Sequence, residues 1–245
     1  MNVTAIIPAR YQSSRFPGKP LVEIKGKSMI SRVAERVLKV LPHHHVIVAT
    51  DDQRIYDHVN AMNIRVMMTS NAHVSGTDRC AEAARLAHCG DQDIILNVQG
   101  DEPYIHPEQI KELIACFSNE DVQIGTLARV LHQENELKST NVVKVVRNLE
   151  GKALIFSRNV IPYLRNASSE EWNQQHSFLG HIGLYGFRMH TLQKLCTLPE
   201  SRLEKAESLE QLRWLDHGYS IQVGMSEFPS WAVDSPEDLL KLPEE

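Results

Sequence analysis

The stretch VTAIIPARYQSSRFPGKP, residues 3–20, indicates both the fold and the kind of site that the chain carries. It begins with a short, largely apolar run, typical of a buried strand, and passes directly into a loop that holds Arg10, Arg15 and Lys19. No aspartate or glutamate occurs before Glu23, although the formal net charge of the chain is -5. In α/β sheets, phosphates bind where strands end in glycine- and cation-bearing loops. The stretch therefore predicts a phosphate site at the carboxyl end of a first strand.

The other residues of this loop favour a ligand site over a solvated basic turn. Gly18 lets the backbone approach a ligand, and Pro17 and Pro20 stiffen the chain on either side of Lys19. Three fixed cations suit a triphosphate, which carries about four negative charges near neutral pH.

Composition narrows the possible partners. The chain has 245 residues, of which 42% are hydrophobic and 23% charged, as in ordinary globular proteins. With a pI of about 6.2 and no basic tail, it lacks the electrostatic signature of a nucleic-acid-binding protein. No window approaches a membrane span, and no signal peptide is expected. The cysteines have no CxxC spacing and predict reduced thiols in a cytoplasmic protein; they are Cys80, Cys89, Cys116 and Cys196.

Strand-like and helical patterns alternate through the first half of the chain. The predicted strands are Val3–Pro8, His45–Thr50, Arg65–Met68 and Asp93–Val98. The predicted helices are Met29–Leu41, Asp51–Met62, Thr77–Ala87 and Pro107–Phe117. This alternation predicts a parallel sheet with helices on both faces.

The pattern changes after about residue 124 and predicts a mixed region with a small sheet that closes over the first half. The predicted strands are Gly125–Val130, Val142–Val146, Ala153–Phe156, Ile182–Phe187 and Ser220–Met225. The predicted helices are Leu192–Thr197, Glu204–His217 and a last one from Pro236.

A second motif, Ser75-Gly76-Thr77-Asp78-Arg79, opens a predicted helix. Small hydroxyl residues and a glycine at a helix start offer backbone N–H groups to a base or a phosphate. The alternative is a plain helix cap with a surface arginine.

Two aspartates are candidate metal ligands. Asp101 follows an apolar strand in NVQGDEP, where α/β enzymes place metal-binding carboxylates, unless it is a turn aspartate. Asp234 is the best candidate for a second carboxylate, unless it merely caps the helix that follows.

A further polar set lies in the second half. His181, Gly183 and Tyr185 alternate and share one strand face. Glu207, Glu210 and Gln211 are expected near one side of a helix, and Arg158 adds a cation. Arg158 and His181 together suit a carboxylate ligand. Surface pairs and salt bridges are the alternatives.

In order along the chain, these motifs resemble the 3-deoxy-manno-octulosonate (Kdo) cytidylyltransferases, also called CMP-Kdo synthetases. The matching segments are IIPARYQSSRFPGKPL, VATDD, SGTDR, NVQGDEP, VVKVV, FSR, HIGLYGF, AESLEQLR and VDSPEDL. The resemblance implies an α/β fold with a mostly parallel nucleotidyltransferase-type sheet flanked by helices, and a smaller mixed sheet forming the sugar site and the dimer contact. It implies a single cytidylyltransferase domain over residues 1–245, with 1–123 mainly binding nucleotide and 124–245 mainly binding sugar and forming a homodimer.

The resemblance also assigns residues to roles. The CTP-binding set would be Pro8, Ala9, Arg10, Arg15, Lys19, Ser75, Gly76, Thr77, Arg79 and Gln99. The sugar-binding set would be Gln99, Arg158, His181, Tyr185, Glu210 and Gln211. Asp101 and Asp234 would bind Mg²⁺ and, with Lys19 and Arg10, form the catalytic set. The chain departs from the family where Trp231 replaces small residues, and a bulky side chain there is expected to reshape the pocket.

The predicted reaction is Mg²⁺-dependent: CTP and Kdo give CMP-Kdo and pyrophosphate, for lipopolysaccharide synthesis in a Gram-negative cytoplasm. The sugar could instead be 8-amino-Kdo or another 2-keto-3-deoxy acid. A nucleotidyltransferase for sugar 1-phosphates would share the first loop but would not need the Arg158 and His181 set. A non-catalytic nucleotide-binding module would lack the carboxylate pair.

Overall fold

The computed structural model describes residues 2–12 and 16–243, so the predicted phosphate ligand Arg15 lies outside the described residues. The strands are β1 Val3–Ala9, β2 Glu23–Ile24, β3 Lys27–Ser28, β4 Val46–Thr50, β5 Arg65–Met68, β6 Ile94–Asn97, β7 Ile124–Val130, β8 Lys144–Arg147, β9 Ala153–Ser157, β10 Leu179–Arg188 and β11 Ile221–Met225. The α-helices are α1 Met29–Leu38, α2 Gln53–Ala61, α3 Gly76–Leu86, α4 Pro107–Ala115, α5 Glu134–Lys138, α6 Trp172–Gln175, α7 Met189–Leu195, α8 Arg202–Glu207 and α9 Glu210–Asp216. Short 3-10 helices cover Lys19–Leu21, His43–His45, Cys116–Ser118 and Pro236–Lys241.

The chain divides into two compact units. The first contains the chain up to Lys111, Gly186–Cys196 and the segment from Ser230 onward. The second contains Glu112–Tyr185 and Thr197–Pro229. The carboxyl-terminal segment therefore returns to the first unit, which brings Asp234 into the same unit as Asp101. The assignment of nucleotide and sugar binding to residues 1–123 and 124–245 stays a prediction.

The sheet of the first unit is parallel, as the alternating sequence pattern predicts. Strand β1 pairs in parallel with β6 on one side and with β4 on the other, and β4 pairs in parallel with β5. Every residue of β4 and β6 is buried. Runs of this kind suit a sheet covered on both faces. Helices α1, α2 and α3 pack against these strands, and α1 buries Met29, Ile30, Val33 and Val37.

The second unit is mixed, which confirms the change of pattern after residue 124. Strands β7 and β11 pair in parallel, whereas β8 pairs antiparallel with both β9 and β10. Large side chains such as Phe156, Phe178 and Trp214 are fully buried in this unit. Apart from these strands, β2 and β3 form a small antiparallel hairpin.

One predicted helix is wrong. The segment Glu204–His217 forms two helices, because Ser208 adopts a left-handed conformation with φ 52° and ends α8. Glu207 and Glu210 therefore lie on different helices rather than on one side of the same helix. Periodicity does not reveal such a break, since a serine carries no strong stop signal. Across residues 2–12 and 16–243, no helix combines the length and the apolar character needed to cross a membrane.

Candidate active site

A cavity of about 370 Å³ opens in the first unit where β1 and β6 end. Because these strands are parallel neighbours, their carboxyl ends meet at the same edge of the sheet, where α/β proteins bind ligands. The residues that line it are Pro8, Ala9, Arg10, Gln12, Lys19, Pro20, Gly76, Gln99, Gly100, Asp101 and Asp234. The cavity thus gathers most of the predicted nucleotide set together with both predicted carboxylates. Gln12, Pro20 and Gly100 were not predicted, although each lies within a quoted motif.

The ammonium group of Lys19 links the polar groups of this cavity. Its Nζ atom donates to Oδ2 of Asp101 at 2.7 Å and to the carbonyl oxygen of Val233 at 2.9 Å. Oδ1 of Asp234 lies 3.5 Å from the same Nζ. The Lys19 side chain is only 14% exposed, so these charges are partly desolvated and interact more strongly than in water. One cation therefore holds two carboxylates from distant segments of the chain.

The local backbone explains how Lys19 reaches this position. Gly18 adopts a left-handed conformation with φ 72°, which a residue with a side chain rarely adopts. Its N–H donates to the carbonyl of Tyr11 at 2.8 Å and closes the loop. Pro20 then continues the short 3-10 helix that begins at Lys19.

The carboxyl-terminal segment is hydrogen-bonded directly to the turn that contains Asp101. The N–H of Val233 donates to the carbonyl of Asp101 at 2.9 Å. The Val233 side chain is fully buried in a cluster with Met29 and Tyr104. Trp231 packs against the same cluster, so this departure from the family pattern anchors the segment that carries Asp234.

The backbone around Asp234 is fixed by Asp238. Oδ2 of Asp238 accepts the N–H groups of Asp234 and Ser235 at 3.1 and 3.0 Å. A hydrogen bond from Lys241, followed by these backbone contacts, lowers the pKa of Asp238 to about 2. The N-cap of the following 3-10 helix is Ser235. The alternative that Asp234 serves only as this cap is therefore wrong.

A carboxyl group beside the site is fully buried. Burial, followed by the charge of Asp101, raises the pKa of Glu102 to about 7, and a hydrogen bond with Ser230 opposes this shift. Glu102 thus connects the Asp101 turn to the carboxyl-terminal segment a second time. Glu102 was not predicted as a site residue, although it lies inside NVQGDEP.

Arg10 lines the cavity and also holds the loop before α3. Its Nη2 atom donates to the carbonyl of His73 at 2.6 Å. Burial, followed by the charge of Arg79, lowers the pKa of Arg10. Nε2 of His73 contacts Oε2 of Glu82 at 2.5 Å, so the loop is held from both sides.

The start of α3 is a capping box. The Ser75 hydroxyl accepts the N–H of Asp78 at 3.1 Å, and Oδ2 of Asp78 accepts the N–H of Ser75 at 3.1 Å. The Ser75 side chain therefore caps the helix, as the alternative interpretation has it. Gly76 lines the cavity, and a Cβ atom there would lie 3.4 Å from Cγ of Pro8.

Arg79 is not among the residues that line the cavity, and it is not a surface arginine either. Its side chain is fully buried, with Nη2 2.7 Å from Oδ2 of Asp51. Its Nη1 atom donates to the Thr69 hydroxyl at 2.5 Å. Arg79 thereby ties α3 to the end of β4, whereas a role around cytosine stays a prediction.

The carboxylate pair suits a magnesium ion. Asp101 and Asp234 supply hard oxygen donors, and both carboxylates already converge on one cation, the Lys19 ammonium. In the described part of the chain, no group of three or more histidine, cysteine or acidic side chains has metal-binding geometry. Two carboxylates suffice for Mg²⁺, which usually keeps several waters and binds substrate phosphates.

Apart from Gln99, which lines the cavity of the first unit, the predicted sugar set lies in the second unit, where His181 is neutral. Burial lowers the pKa of His181 to about 3, and its Nε2 atom lies 2.9 Å from the Thr126 hydroxyl. Its ring contacts those of Phe156 and Tyr185 at centroid distances of 5.0 and 5.3 Å. A desolvated imidazole without a carboxylate partner does not hold a proton at neutral pH, so Arg158 is the cation of this set and a role of His181 in sugar binding stays a prediction.

Tyr185 lies next to the start of α9. Burial, followed by the charge of Glu210, raises the pKa of the Tyr185 phenol. Its ring meets that of Trp214 edge-on, with centroids 5.1 Å apart. Glu210 is half-buried and Gln211 is buried, both in the first turn of α9. The structure thus brings His181, Tyr185 and Glu210 into one neighbourhood.

Arg158 lies in a network of backbone contacts. Its guanidinium donates to the carbonyls of Glu207, Ser208 and Thr140 at 2.7, 3.3 and 3.0 Å. Glu207 in turn accepts the Ser157 hydroxyl at 2.6 Å. These contacts hold the turn at Ser208, from which Glu210 follows.

Lys144 completes this network and was missed as a site-related residue. Its Nζ atom donates to the carbonyls of Ser139, Val142 and Arg158 at 2.9, 2.7 and 2.6 Å. Burial lowers its pKa. The lone lysine in the apolar run VVKVV was the available signal, because a lysine is rarely buried without partners.

A parallel α/β unit whose first loop presents a lysine to two carboxylates fits the class of nucleotidyltransferases. Comparison with known proteins agrees. A family model described as "Cytidylyltransferase" matches residues 4–221. The chain is 49% identical to the 3-deoxy-manno-octulosonate cytidylyltransferase of Parabacteroides distasonis, over 98% of this chain and 96% of the relative. It is 47% identical to the protein of that name from Bacteroides thetaiotaomicron, with the same coverage.

A solved structure gives the same result. A CMP-2-keto-3-deoxy-manno-octonic acid synthetase, solved in complex with CTP, superposes with a TM-score of 0.89 at 41% identity, covering 98% of this chain and 96% of the other. The chain belongs to the cytidylyltransferase family, in the group of the 3-deoxy-manno-octulosonate cytidylyltransferases.

Proposed function

We propose that the chain transfers CMP from CTP to the anomeric hydroxyl of Kdo, forming CMP-Kdo and pyrophosphate. The observation that carries this proposal is the convergence of Asp101 and Asp234 on the Lys19 ammonium inside the cavity at the carboxyl edge of the sheet. Such a group can neutralise a triphosphate and hold its metal. The names of the relatives supply the nucleotide and the sugar.

Positioning and charge neutralisation account for the chemistry. The anomeric hydroxyl attacks the α-phosphorus of CTP, and pyrophosphate leaves. Lys19 stabilises the charge that develops on the α-phosphate, and Arg10 stabilises the leaving pyrophosphate. No covalent protein nucleophile is required, because the two substrates react once they are held in line.

Asp101 and Asp234 would hold the Mg²⁺ ion on which we expect the reaction to depend. When bound, the ion neutralises phosphate charge and can lower the pKa of the attacking hydroxyl. With the carboxylates engaged by the ion, Lys19 would be available to the nucleotide, so the same side chain would serve the site before and during the reaction.

For the sugar, the second unit offers several hydrogen-bonding side chains, one of which, Glu210, is a carboxylate. We assign recognition of hydroxyl groups to Glu210, Gln211, Tyr185 and neutral His181, with Gln99 on the nucleotide side. Arg158 provides positive charge for the sugar carboxylate even while its N–H groups contact carbonyls. Glu210 is the group that would favour the ammonium of 8-amino-Kdo.

We also propose a cytoplasmic homodimer that supplies lipopolysaccharide synthesis. In β9, the adjacent side chains of Leu154 and Ile155 are 60% and 41% exposed, although neighbours in a strand face opposite sides. Tyr163 in the same unit is 73% exposed. Large apolar side chains exposed in the same unit support a contact with a second copy of the chain. Light scattering on wild type and Leu154→Glu tests this: a dimer that becomes monomeric supports it, and a wild-type monomer contradicts it.

The function is tested by pyrophosphate release with each nucleotide and sugar in turn. We expect release with CTP and Kdo, at least a hundredfold slower release with ATP or GTP, and none with neutral hexoses. A higher rate with 8-amino-Kdo would reassign the sugar. Efficient turnover of hexose 1-phosphates would instead indicate a sugar 1-phosphate nucleotidyltransferase.

A further inference from the structure

The guanidinium group of Arg54 lies over the ring of Tyr11, with Cζ 3.2 Å from the ring centroid. Tyr11 follows Arg10 directly in the phosphate-binding loop, whereas Arg54 belongs to the first turn of α2. A cation over the face of an aromatic ring is attracted by the electron density of the ring. The stack therefore joins the loop that follows β1 to α2, the helix that follows β4.

Arg54 is itself fixed in a defined orientation. Its Nε atom donates to Oδ1 of Asp52 at 2.9 Å, and its Nη2 atom donates to Oδ2 at 2.6 Å. Asp52 also caps α2 by accepting the backbone N–H of Arg54 at 3.0 Å. This two-pronged contact holds the plane of the guanidinium, which a lysine cannot reproduce.

Tyr11 also contacts Gly18, the residue before Lys19. The carbonyl of Tyr11 accepts the N–H of Gly18, and a Cβ atom at position 18 would lie 3.2 Å from atoms of the Tyr11 ring. Gly18 precedes Lys19 directly. The ring of Tyr11 thus lies against both Arg54 and Gly18.

We propose that Arg54 and Tyr11 are positioning residues that preorganise the phosphate-binding loop for CTP. This inference rests on the proposed function. Arg10 and Lys19 both carry positive charge, and holding the two side chains around one triphosphate costs conformational entropy. Fixing Tyr11 before binding reduces that loss, so the stack raises affinity for the nucleotide without touching it.

The test is a double-mutant cycle read by calorimetric titration with CTP and MgCl₂ and by steady-state kinetics. We expect Arg54→Ala to weaken CTP binding and raise its KM about two- to fivefold, with kcat at saturation within about twofold of wild type. Tyr11→Leu has the same effect, Tyr11→Phe binds as wild type, and Arg54→Lys lies between. The double variant is no weaker than either single variant, because both remove the same contact.

The matched control is Arg202→Ala, an exposed arginine in α8 that we expect to bind CTP as wild type does. Wild-type CTP affinity in Arg54→Ala, additive losses in the double variant, or lower melting temperatures without loss of affinity would each overturn the inference. These outcomes leave the proposed function intact, since wild type would still bind CTP and release pyrophosphate. A wild-type chain that binds no CTP would overturn both.

Discussion

The Nζ atom of Lys19 lies 2.7 Å from Oδ2 of Asp101, and the contact joins the first loop of the sheet to the end of β6. The same ammonium reaches Asp234 and the carbonyl of Val233, so three distant segments meet at one charge. A divalent ion at the two carboxylates and the lysine ammonium repel each other. Under the proposed function, binding of the ion would therefore be coupled to movement of Lys19 toward phosphate.

Replacing Asp101 by asparagine should abolish most of the activity and leave the fold intact. Asp101→Asn keeps the size of the side chain but removes the charge that would hold Mg²⁺. We expect pyrophosphate release to fall by about two to three orders of magnitude, with an unchanged circular dichroism spectrum. Asp216→Asn, an exposed aspartate at the end of α9, is the matched control. Full activity of wild type in EDTA would refute the metal assignment.

Replacing Lys19 should damage turnover more than CTP affinity. Lys19→Ala removes the cation that we assign to the charge developing on the α-phosphate in the transition state. We therefore expect kcat to fall at least about a hundredfold and KM for CTP to change little. Without CTP, Mn²⁺ binding followed by electron paramagnetic resonance should tighten severalfold, because the competing ammonium is gone. A raised KM with unchanged kcat would show that Lys19 serves only as a ground-state anchor.

Gly100 should not tolerate a side chain without loss of stability, although its φ lies outside the left-handed region. A Cβ atom at this position would lie 2.7 Å from the carbonyl oxygen of Pro8, at the wall of the cavity. We expect Gly100→Ala to lower stability by about 1–3 kcal/mol and to weaken CTP binding, since β1 and β6 must separate at their ends. Gly90→Ala is the control, because its Cβ atom meets Asp93 at an ordinary 3.5 Å. Equal melting temperatures for the two variants would contradict this explanation.

The buried His181 should make the protein less stable in acid. The folded chain keeps this imidazole neutral, with its pKa at about 3, whereas the unfolded chain protonates it below about pH 6.5. The unfolded state therefore binds more protons, and stability falls as pH decreases between these values. The side chains that contact the imidazole, Phe156, Thr126 and Tyr185, carry no charge, and burial is the cause of its lowered pKa although Glu210 lies beyond Tyr185.

The measurement is urea unfolding of wild type and His181→Gln at pH 7.5 and pH 5. We expect the loss of unfolding free energy between the two pH values to be about 2 kcal/mol smaller in the variant. His45, whose pKa burial also lowers, is present in both proteins and cancels in the comparison. An identical pH dependence would show that His181 is protonated in the folded state.

Local patterns predicted the parts of the site that lie next to strand ends. The apolar run before Arg10 and the strand before Asp101 both end at the cavity, because parallel strands deliver their carboxyl ends to one edge. Long-range partners were out of reach of sequence patterns. Nothing local shows that Arg79 turns inward to Asp51, or that burial keeps His181 neutral. The break at Ser208 likewise depends on tertiary contacts, here those of Arg158 with the adjacent carbonyls.

The most direct test of the account is product identification by ³¹P NMR and mass spectrometry after incubation of the protein with CTP, Kdo and MgCl₂. We predict a CMP–sugar phosphodiester and one pyrophosphate for each CTP consumed, with both products nearly absent for Asp101→Asn. Formation of CDP or CMP without a sugar adduct, or no consumption of CTP by the wild-type protein, would contradict the assignment of Lys19, Asp101 and Asp234 as a cytidylyl-transfer site.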